Sequence, residues 1–269
     1  MTTRVALITG AAQGIGEAIS LRLADDGIDV ALLDIHTKEQ QLAALANKIA
    51  GKGRRAFVVP ADVSSEEDVK SAIEKTVENL GSLDIMVANA GILGKLGPML
   101  EASVEDFRRV HAVNVEGVFL CYKYAAEQMI KQGRGGRIIG SFSFSMSGIA
   151  LNESHFRRGI CCREERHVFD ITLSPSSDAT YDIAQEFAPH GITVNAYAPG
   201  VILTAMTALP GDEELGGHGM TLKKVVGAPP SLAVGEPLEV AELVAYLIKP
   251  EAKFVTGQCV SINGGMFFD

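Results

Sequence analysis

The run Thr9-Gly10-Ala11-Ala12-Gln13-Gly14-Ile15-Gly16 closes a short apolar segment, Val5–Thr9, and opens an amphipathic one, Ile15–Asp26. A strand that turns at glycines into a helix lets the backbone approach a pyrophosphate. The anion then faces the amide groups and the positive dipole end of the helix. Gly10, Gly14 and Gly16 stand as G-x-x-x-G-x-G, a relative of the dinucleotide fingerprint G-x-G-x-x-G, with Gln13 and Ile15 inside the turn. Such a turn also serves as a plain strand-to-helix corner. Its place between the first strand and the first helix favours the phosphate reading.

Outward from that turn, short apolar runs alternate with amphipathic stretches. The runs are Val5–Thr9, Val30–Asp34, Ala56–Ala61, Ile85–Asn89, Arg137–Ser141, Thr193–Tyr197 and Val260–Asn263. Most are continuously hydrophobic, as strands covered on both faces should be. Helical periodicity occupies Ile15–Asp26, Glu39–Lys52, Ser65–Leu80, Val104–Lys131, Ser177–Phe187 and Leu238–Ile248. Ser64 or Ser65 ahead of Glu66 and Glu67 makes a helix start, and Pro189 with Gly191 ends the fifth helix. The pattern predicts an α/β fold: one Rossmann-type, doubly wound parallel sheet of about seven strands with helices on both faces. No repeat, low-complexity stretch or domain boundary is visible, so residues 1–269 read as a single domain.

Asp34 ends the second run about 20 residues past the glycines, where a carboxylate accepts hydrogen bonds from adenosine ribose hydroxyls. A carboxylate there repels a ribose 2′-phosphate, so NAD(H) is favoured over NADP(H). An exposed strand-end Asp is the plainer alternative. Asp62 and Val63 follow the third run and can face the adenine edge, although Asp62 also suits a helix cap.

The chain has 269 residues, 47% hydrophobic and 21% charged, enough to bury a core without metal or disulfide staples. A formal charge of −9 argues against nucleic-acid binding. Cys121, Cys161, Cys162 and Cys259 show no C-x-x-C spacing and read as free thiols in a reducing compartment. The start, MTTRVALITG, runs straight into a strand, leaving no room for a signal peptide. No apolar run approaches the roughly 20 residues that cross a bilayer. A cytoplasmic protein without nucleic-acid or membrane partners is expected.

Further motifs follow in order: ADV at 61–63, ANAG at 88–91, HAVNVEG at 111–117, GGRIIGSFS at 135–143, TVNAYAPGVILT at 193–204 and VTGQCVSINGG at 255–265. With TGAAQGIG and Asp34, they make residues 4–148 and roughly 178–266 resemble the short-chain dehydrogenase/reductase family. The resemblance implies hydride transfer between a nicotinamide and a small-molecule alcohol/ketone pair. It implies that Asn89, with Ala90 and Gly91, supports the cofactor and the central strand. It also implies that Asn114 holds a water in a proton relay, unless it is an ordinary helix-interior amide. Pro199, Gly200, Val201 and Thr204 would lie by the nicotinamide and its phosphate, with residues 205–234 as a mobile lid over the substrate. A homo-oligomer, tetramer or dimer, built on the long fourth helix and the C-terminal strand is expected on the same ground.

In this family a Ser hydrogen-bonds the substrate oxygen and a Tyr exchanges the proton. A Lys four residues after the Tyr lowers the phenol pKa from about 10. Ser143 falls at the Ser position, with Ser141 and Ser145 two residues to either side. No Tyr-x-x-x-Lys occurs anywhere in the chain. Counting forward from Ser143 puts Phe156 and Ile160 at the two positions, and counting back from Gly191 puts Phe169 and Leu173 there. Tyr181 is followed at the fourth place by Gln185. Residues 149–176 carry an Arg cluster, a Cys pair and no helical period. The interval from Ser143 to Gly191 exceeds the family's by about a dozen residues, an uncommon length of irregular chain in a compact domain. That combination suggests a disturbed coding sequence, such as a retained intron or shifted frame. Two readings follow: an NAD(H)-dependent oxidoreductase, with Tyr181, His155 or His167 as substitute proton donors, or a catalytically silent dinucleotide-binding protein of the same fold. The lid's charges, Asp212, Glu213, Glu214, Lys223 and Lys224, are few, which suggests a neutral, fairly apolar substrate.

Overall fold

Each apolar run forms a strand: β1 (Val5–Thr9), β2 (Asp29–Asp34), β3 (Ala56–Pro60), β4 (Ile85–Ala88), β5 (Gly136–Ser141), β6 (Ile192–Pro199) and β7 (Cys259–Ile262). The computed structural model describes residues 3–95, 99–141 and 177–266. The strands form one sheet in the order β3-β2-β1-β4-β5-β6-β7, with every neighbouring pair parallel. The helices are α1 (Gly14–Asp25), α2 (Glu39–Gly51), α3 (Glu66–Leu80), α4 (Val104–His111), α5 (Gly117–Gln132), α6 (Ser177–Phe187), α7 (Met220–Val225) and α8 (Pro237–Leu247).

Side chains alternate across the sheet and divide the core in two. Val5 and Leu7 of β1 face α3, α5 and α6, where Val69, Ile73, Leu120, Ala125 and Ala184 meet them. Ala6 and Ile8 face α1, α2 and α8, against Ile19, Leu23, Leu45 and Val244. Each fully buried Leu, Ile or Val contributes about 1.5–3 kcal/mol relative to exposure. Both faces are therefore needed, and the near-continuous hydrophobicity of the runs has its physical cause here.

Local signals fix the helix ends. Ser65 Oγ accepts the Asp68 N–H at 3.2 Å and caps α3, which stops at Gly81 in a left-handed conformation. Pro237 starts α8 behind a capping box of Glu236 and Glu239. Phe187 ends α6, a short turn carries Pro189, and Gly191 has φ +70°.

One expectation needs correction. The expected helix Val104–Lys131 is interrupted by a π-turn at Ala112–Glu116, where the Gly117 N–H bonds back to the Ala112 carbonyl. The extra residue accommodates a close approach: a Cβ on Gly117 would lie 2.9 Å from Val63 Cγ2. The segment expected to cover the substrate contains α7 and a short turn at Glu213–Leu215. Leu222, Ala228, Val201 and Met266 form a small core of their own beneath it.

β1 and β4 are neighbours, yet the chain leaves β1 toward β2 and leaves β4 toward β5. Loops at the carboxyl ends of these two strands diverge, which opens a crevice where such sheets take ligands.

Candidate functional site

The turn after β1 is closed by steric exclusion. Gly10 has φ +64°, and a Cβ there would sit 2.9 Å from Ala90 Cα. A Cβ on Gly16 would press on the Gly10 carbonyl oxygen and come 2.8 Å from Asn89 Nδ2. Gly14, at φ +58°, faces Thr204, whose Cγ2 would be 3.1 Å from a Cβ. Gln13 occupies the cap position of α1 without making a side-chain cap bond. The first-turn amides of α1 thus lack a side-chain acceptor, the chemistry an anion satisfies.

Asp34 is held from two sides. One carboxylate oxygen accepts the Ala12 N–H at 3.0 Å, and the other accepts the Ile35 N–H at 2.9 Å. Lys38 Nζ donates to Gln13 Oε1 at 3.0 Å, bridging the turn and the segment after β2. One Asp62 carboxylate oxygen, Oδ1, accepts the Ser64 N–H and hydroxyl, and the Asp62 N–H donates to Asp68. Ser65, not Asp62, is the helix cap.

Asn89 ties three strands together. Its Nδ2 donates to the Thr9 carbonyl at 2.9 Å, and its Oδ1 accepts the Tyr197 hydroxyl at 2.8 Å. Thr9 Oγ1 accepts the N–H groups of Asn89 and Ala90 at 3.0 and 2.9 Å. Tyr197 is wholly buried, and burial pushes its phenol pKa above the ordinary range. It is a structural donor to Asn89 rather than a titrating group. At the π-turn, Asn114 Oδ1 accepts the Ile92 N–H at 2.9 Å and its Nδ2 donates to the Ile92 carbonyl at 3.0 Å. π-turns concentrate at functional sites.

After β6, a Cβ on Gly200 would lie 2.9 Å from Asn263 Cα, so the chain passes close to the end of β7. The Thr204 N–H donates to Thr207 Oγ1, which donates to the Ile202 carbonyl at 2.5 Å. His218 Nε2 lies 3.0 Å from the Thr204 carbonyl and therefore carries the proton of that bond. Beyond it, Asp212 accepts N–H bonds from Leu209, Gly219 and Thr221 at 3.0, 2.9 and 2.8 Å. Those bonds, led by Thr221, hold its pKa well below the usual carboxylate range. Lys223 is buried and donates to the carbonyls of Pro230 and Leu232. Both charges serve the lid's backbone, so they carry no information about substrate charge.

These elements enclose a cleft of about 530 Å³. Its walls include Gly10, Gln13, Gly14, Ile15 and Asp34 on one side, with Asp62, Val63, Asn89, Ala90 and Gly91 beyond them. Pro199, Gly200, Val201, Thr204, Asn114 and Ser141 line the other end. Gly16 does not line the cleft; it packs behind the wall. Ser143, His155 and His167 lie outside the described residues. Tyr181 does not line the cleft: its ring packs on Gly257 and its hydroxyl accepts from Gln185 at 2.7 Å.

A model of the family described as short chain dehydrogenase matches residues 4–150, and one described as enoyl-(acyl carrier protein) reductase matches residues 177–267. A short-chain dehydrogenase/reductase of Hericium erinaceus is 41% identical over 267 residues, covering 97% of this chain and 96% of its own. The chain belongs to the short-chain dehydrogenase/reductase family. A short-chain dehydrogenase from Burkholderia cenocepacia, solved with NADP, is 30% identical, with a TM-score of 0.78 and coverage of 99% of this chain and 98% of that one. A 3-ketoacyl-(acyl-carrier-protein) reductase from Brucella melitensis, solved with NADH, is 28% identical, with a TM-score of 0.76 and coverage of 98% of both chains.

The site of this short-chain dehydrogenase/reductase fits a nicotinamide dinucleotide. Glycine backbone stands where a Cβ would close the turn, Gly10, Gln13, Gly14 and Ile15 line the gap, and Asp34 lines it with a carboxylate held by two backbone N–H groups. Lys38 and Arg109 also line the cleft, and sequence reading missed both. Arg109 carried a signal, four residues ahead of Val113 on one helix face. Thr9 and Tyr197 carried none that a single sequence reveals. Neither Cys121 nor Cys259 forms a disulfide, and burial pushes the Cys121 thiol up to about 12. No helix among the described residues is long and apolar enough to cross a membrane.

Proposed function

We propose that this chain is an NAD(H)-dependent oxidoreductase that interconverts a secondary alcohol and a ketone. The observation that supports the reading is the cleft itself, lined by Gly10, Gly14 and a hydrogen-bonded Asp34; the reading assigns the glycines to the pyrophosphate and Asp34 to the ribose. The nicotinamide supplies or accepts the hydride. Asp34 takes the ribose hydroxyls and disfavours a 2′-phosphate, so NAD(H) is preferred over NADP(H). Pro199, Gly200, Val201 and Thr204 hold the nicotinamide end, Ser143 polarises the substrate oxygen, and Asn114 positions a relay water.

A second reading is favoured by one observation: the sequence contains no Tyr-x-x-x-Lys. Under it the chain binds a dinucleotide and turns over nothing. Absence of the proton relay would slow turnover by about 10²–10⁴-fold. One experiment separates the two. NADH and NADPH are titrated by nicotinamide fluorescence, and oxidation of NADH is followed with a panel of ketones. Binding with turnover supports the oxidoreductase, and binding without it supports the silent protein. Failure to bind either nucleotide at millimolar concentration removes both.

We also propose a cytoplasmic homo-oligomer assembled through the α4–α5 face, where Val104 and Phe107 are more than half exposed. A monomeric mass in light scattering would refute that assembly.

A further inference from the structure

In the segment after β6, Thr204 touches the glycine turn: a Cβ on Gly14 would lie 3.1 Å from its Cγ2. The Thr204 backbone is already satisfied. Its N–H donates to Thr207 Oγ1 at 3.1 Å, and its carbonyl accepts from His218 Nε2 at 3.0 Å. The Thr204 hydroxyl lies 3.4 Å from Thr207 Oγ1, the longest of the contacts in this group.

Proton counting at Thr207 Oγ1 decides which way that hydroxyl turns. A hydroxyl has one proton and two lone pairs. The Thr207 proton goes to the Ile202 carbonyl at 2.5 Å rather than to the Thr204 carbonyl at 3.1 Å. One lone pair takes the Thr204 N–H, and the other faces His218 Nε2 at 3.1 Å. The ring proton of His218 is thus shared between the Thr204 carbonyl and Thr207 Oγ1. With both lone pairs occupied, Thr207 Oγ1 offers the Thr204 hydroxyl no acceptor. That hydroxyl keeps its proton for the cleft, which Thr204 lines.

The imidazole reaches this group from outside. His218 is exposed and does not line the cleft. The turn that carries it is fixed on both sides: the Gly217 N–H donates to the Asp212 carbonyl at 2.8 Å, and the Gly219 N–H donates to Asp212 Oδ2 at 2.9 Å. Gly219 packs so closely that a Cβ would lie 2.9 Å from Val201 Cγ1. The ring is therefore held against residues 201–207 by its own backbone.

We propose that His218 is a positioning residue. By engaging Thr207 Oγ1 and the Thr204 carbonyl from outside the cleft, it leaves the Thr204 hydroxyl as a donor to a phosphate oxygen of a dinucleotide held beside Gly14. The inference rests on the dinucleotide reading above and deepens it to one residue outside the cleft.

The test is a double-mutant cycle read as binding of NADH, reduced nicotinamide mononucleotide and AMP, the last by displacement of NADH. His218→Ala is expected to weaken NADH and the mononucleotide by about 3- to 10-fold, with AMP changed by less than about two-fold. His218→Gln, whose side-chain amide donates to the same acceptors, restores most of the loss. In a Thr204→Val background, His218→Ala has no further effect on NADH. Equal loss of AMP means general damage to the fold and overturns the proposal. So does full additivity with Thr204→Val, failure of His218→Gln to restore binding, or an unaffected His218→Ala. Wild type that binds no NADH sinks the dinucleotide reading itself, whereas binding by wild type with an unaffected variant sinks only the role of His218.

Discussion

At the scale of single residues, the site is held by exclusion and by buried hydrogen bonds. Gly16 shows the first. Its missing Cβ leaves room for the Gly10 carbonyl and the Asn89 amide, both of them fixed by other bonds. Gly16→Ala is expected to destabilise the chain by about 1–3 kcal/mol or more, since neither neighbour can retreat, and to weaken NADH binding. Urea denaturation with a parallel NADH titration checks both effects. Tyr197 shows the second. Tyr197→Phe removes the donor to the half-buried Asn89 Oδ1, at a cost of about 0.5–1.5 kcal/mol in the same measurement. Gly16 was legible in the sequence because glycine spacing reports backbone demands directly. Tyr197 was not, since a buried phenol in a strand looks like any other large core residue until its partner is known.

At the scale of elements, boundaries read from periodicity, caps and glycines agree with the structure to within a few residues, because those signals are local. α3 begins after Ser65 and α6 ends ahead of Pro189 and Gly191, as their chemistry requires. The π-turn at Ala112–Glu116 and the small core beneath the lid segment were illegible for the opposite reason. Each depends on a partner far away in sequence: Ile92 for Asn114, and Val201 and Met266 for the lid core. Within the glycine-rich lid segment, Asp212 gathers the backbone N–H groups of Leu209, Gly219 and Thr221. Asp212→Asn is expected to loosen this segment and lower stability. The pH dependence follows from the depressed native pKa of Asp212. Its ionised form contributes fully above the unfolded value of about 3.9 and loses that contribution as pH falls toward the native one. The stability gap between wild type and Asp212→Asn should therefore be constant near neutrality and shrink below about pH 4. Denaturant midpoints measured from pH 3 to 7 test this; a gap that widens on acidification would contradict it.

At the scale of the molecule, ligand binding and folding are linked, because the cleft exists only when β1, β4 and β6 are side by side. NADH at about 100 times its dissociation constant should add about 2.7 kcal/mol to stability. For a chain of this size that raises Tm by about 5–10 °C, and NADPH at the same concentration should raise it less. Differential scanning fluorimetry reads both shifts. An equal shift with the two nucleotides would overturn the preference assigned to Asp34.

By itself the sequence determined the parallel α/β architecture, the glycine turn and the carboxylate that ends β2. Strand burial on two faces, helix caps and backbone freedom are written in residue types at short range. Only the tertiary structure decided that Asn114 pairs with the Ile92 backbone, that Asp212 and Lys223 serve the lid's own backbone, and that Arg109 reaches the cleft. Each of these is a pairing between segments that the chain brings together from different elements or turns. The free energy of such a contact depends on where the partner stands, which no local pattern of residues encodes.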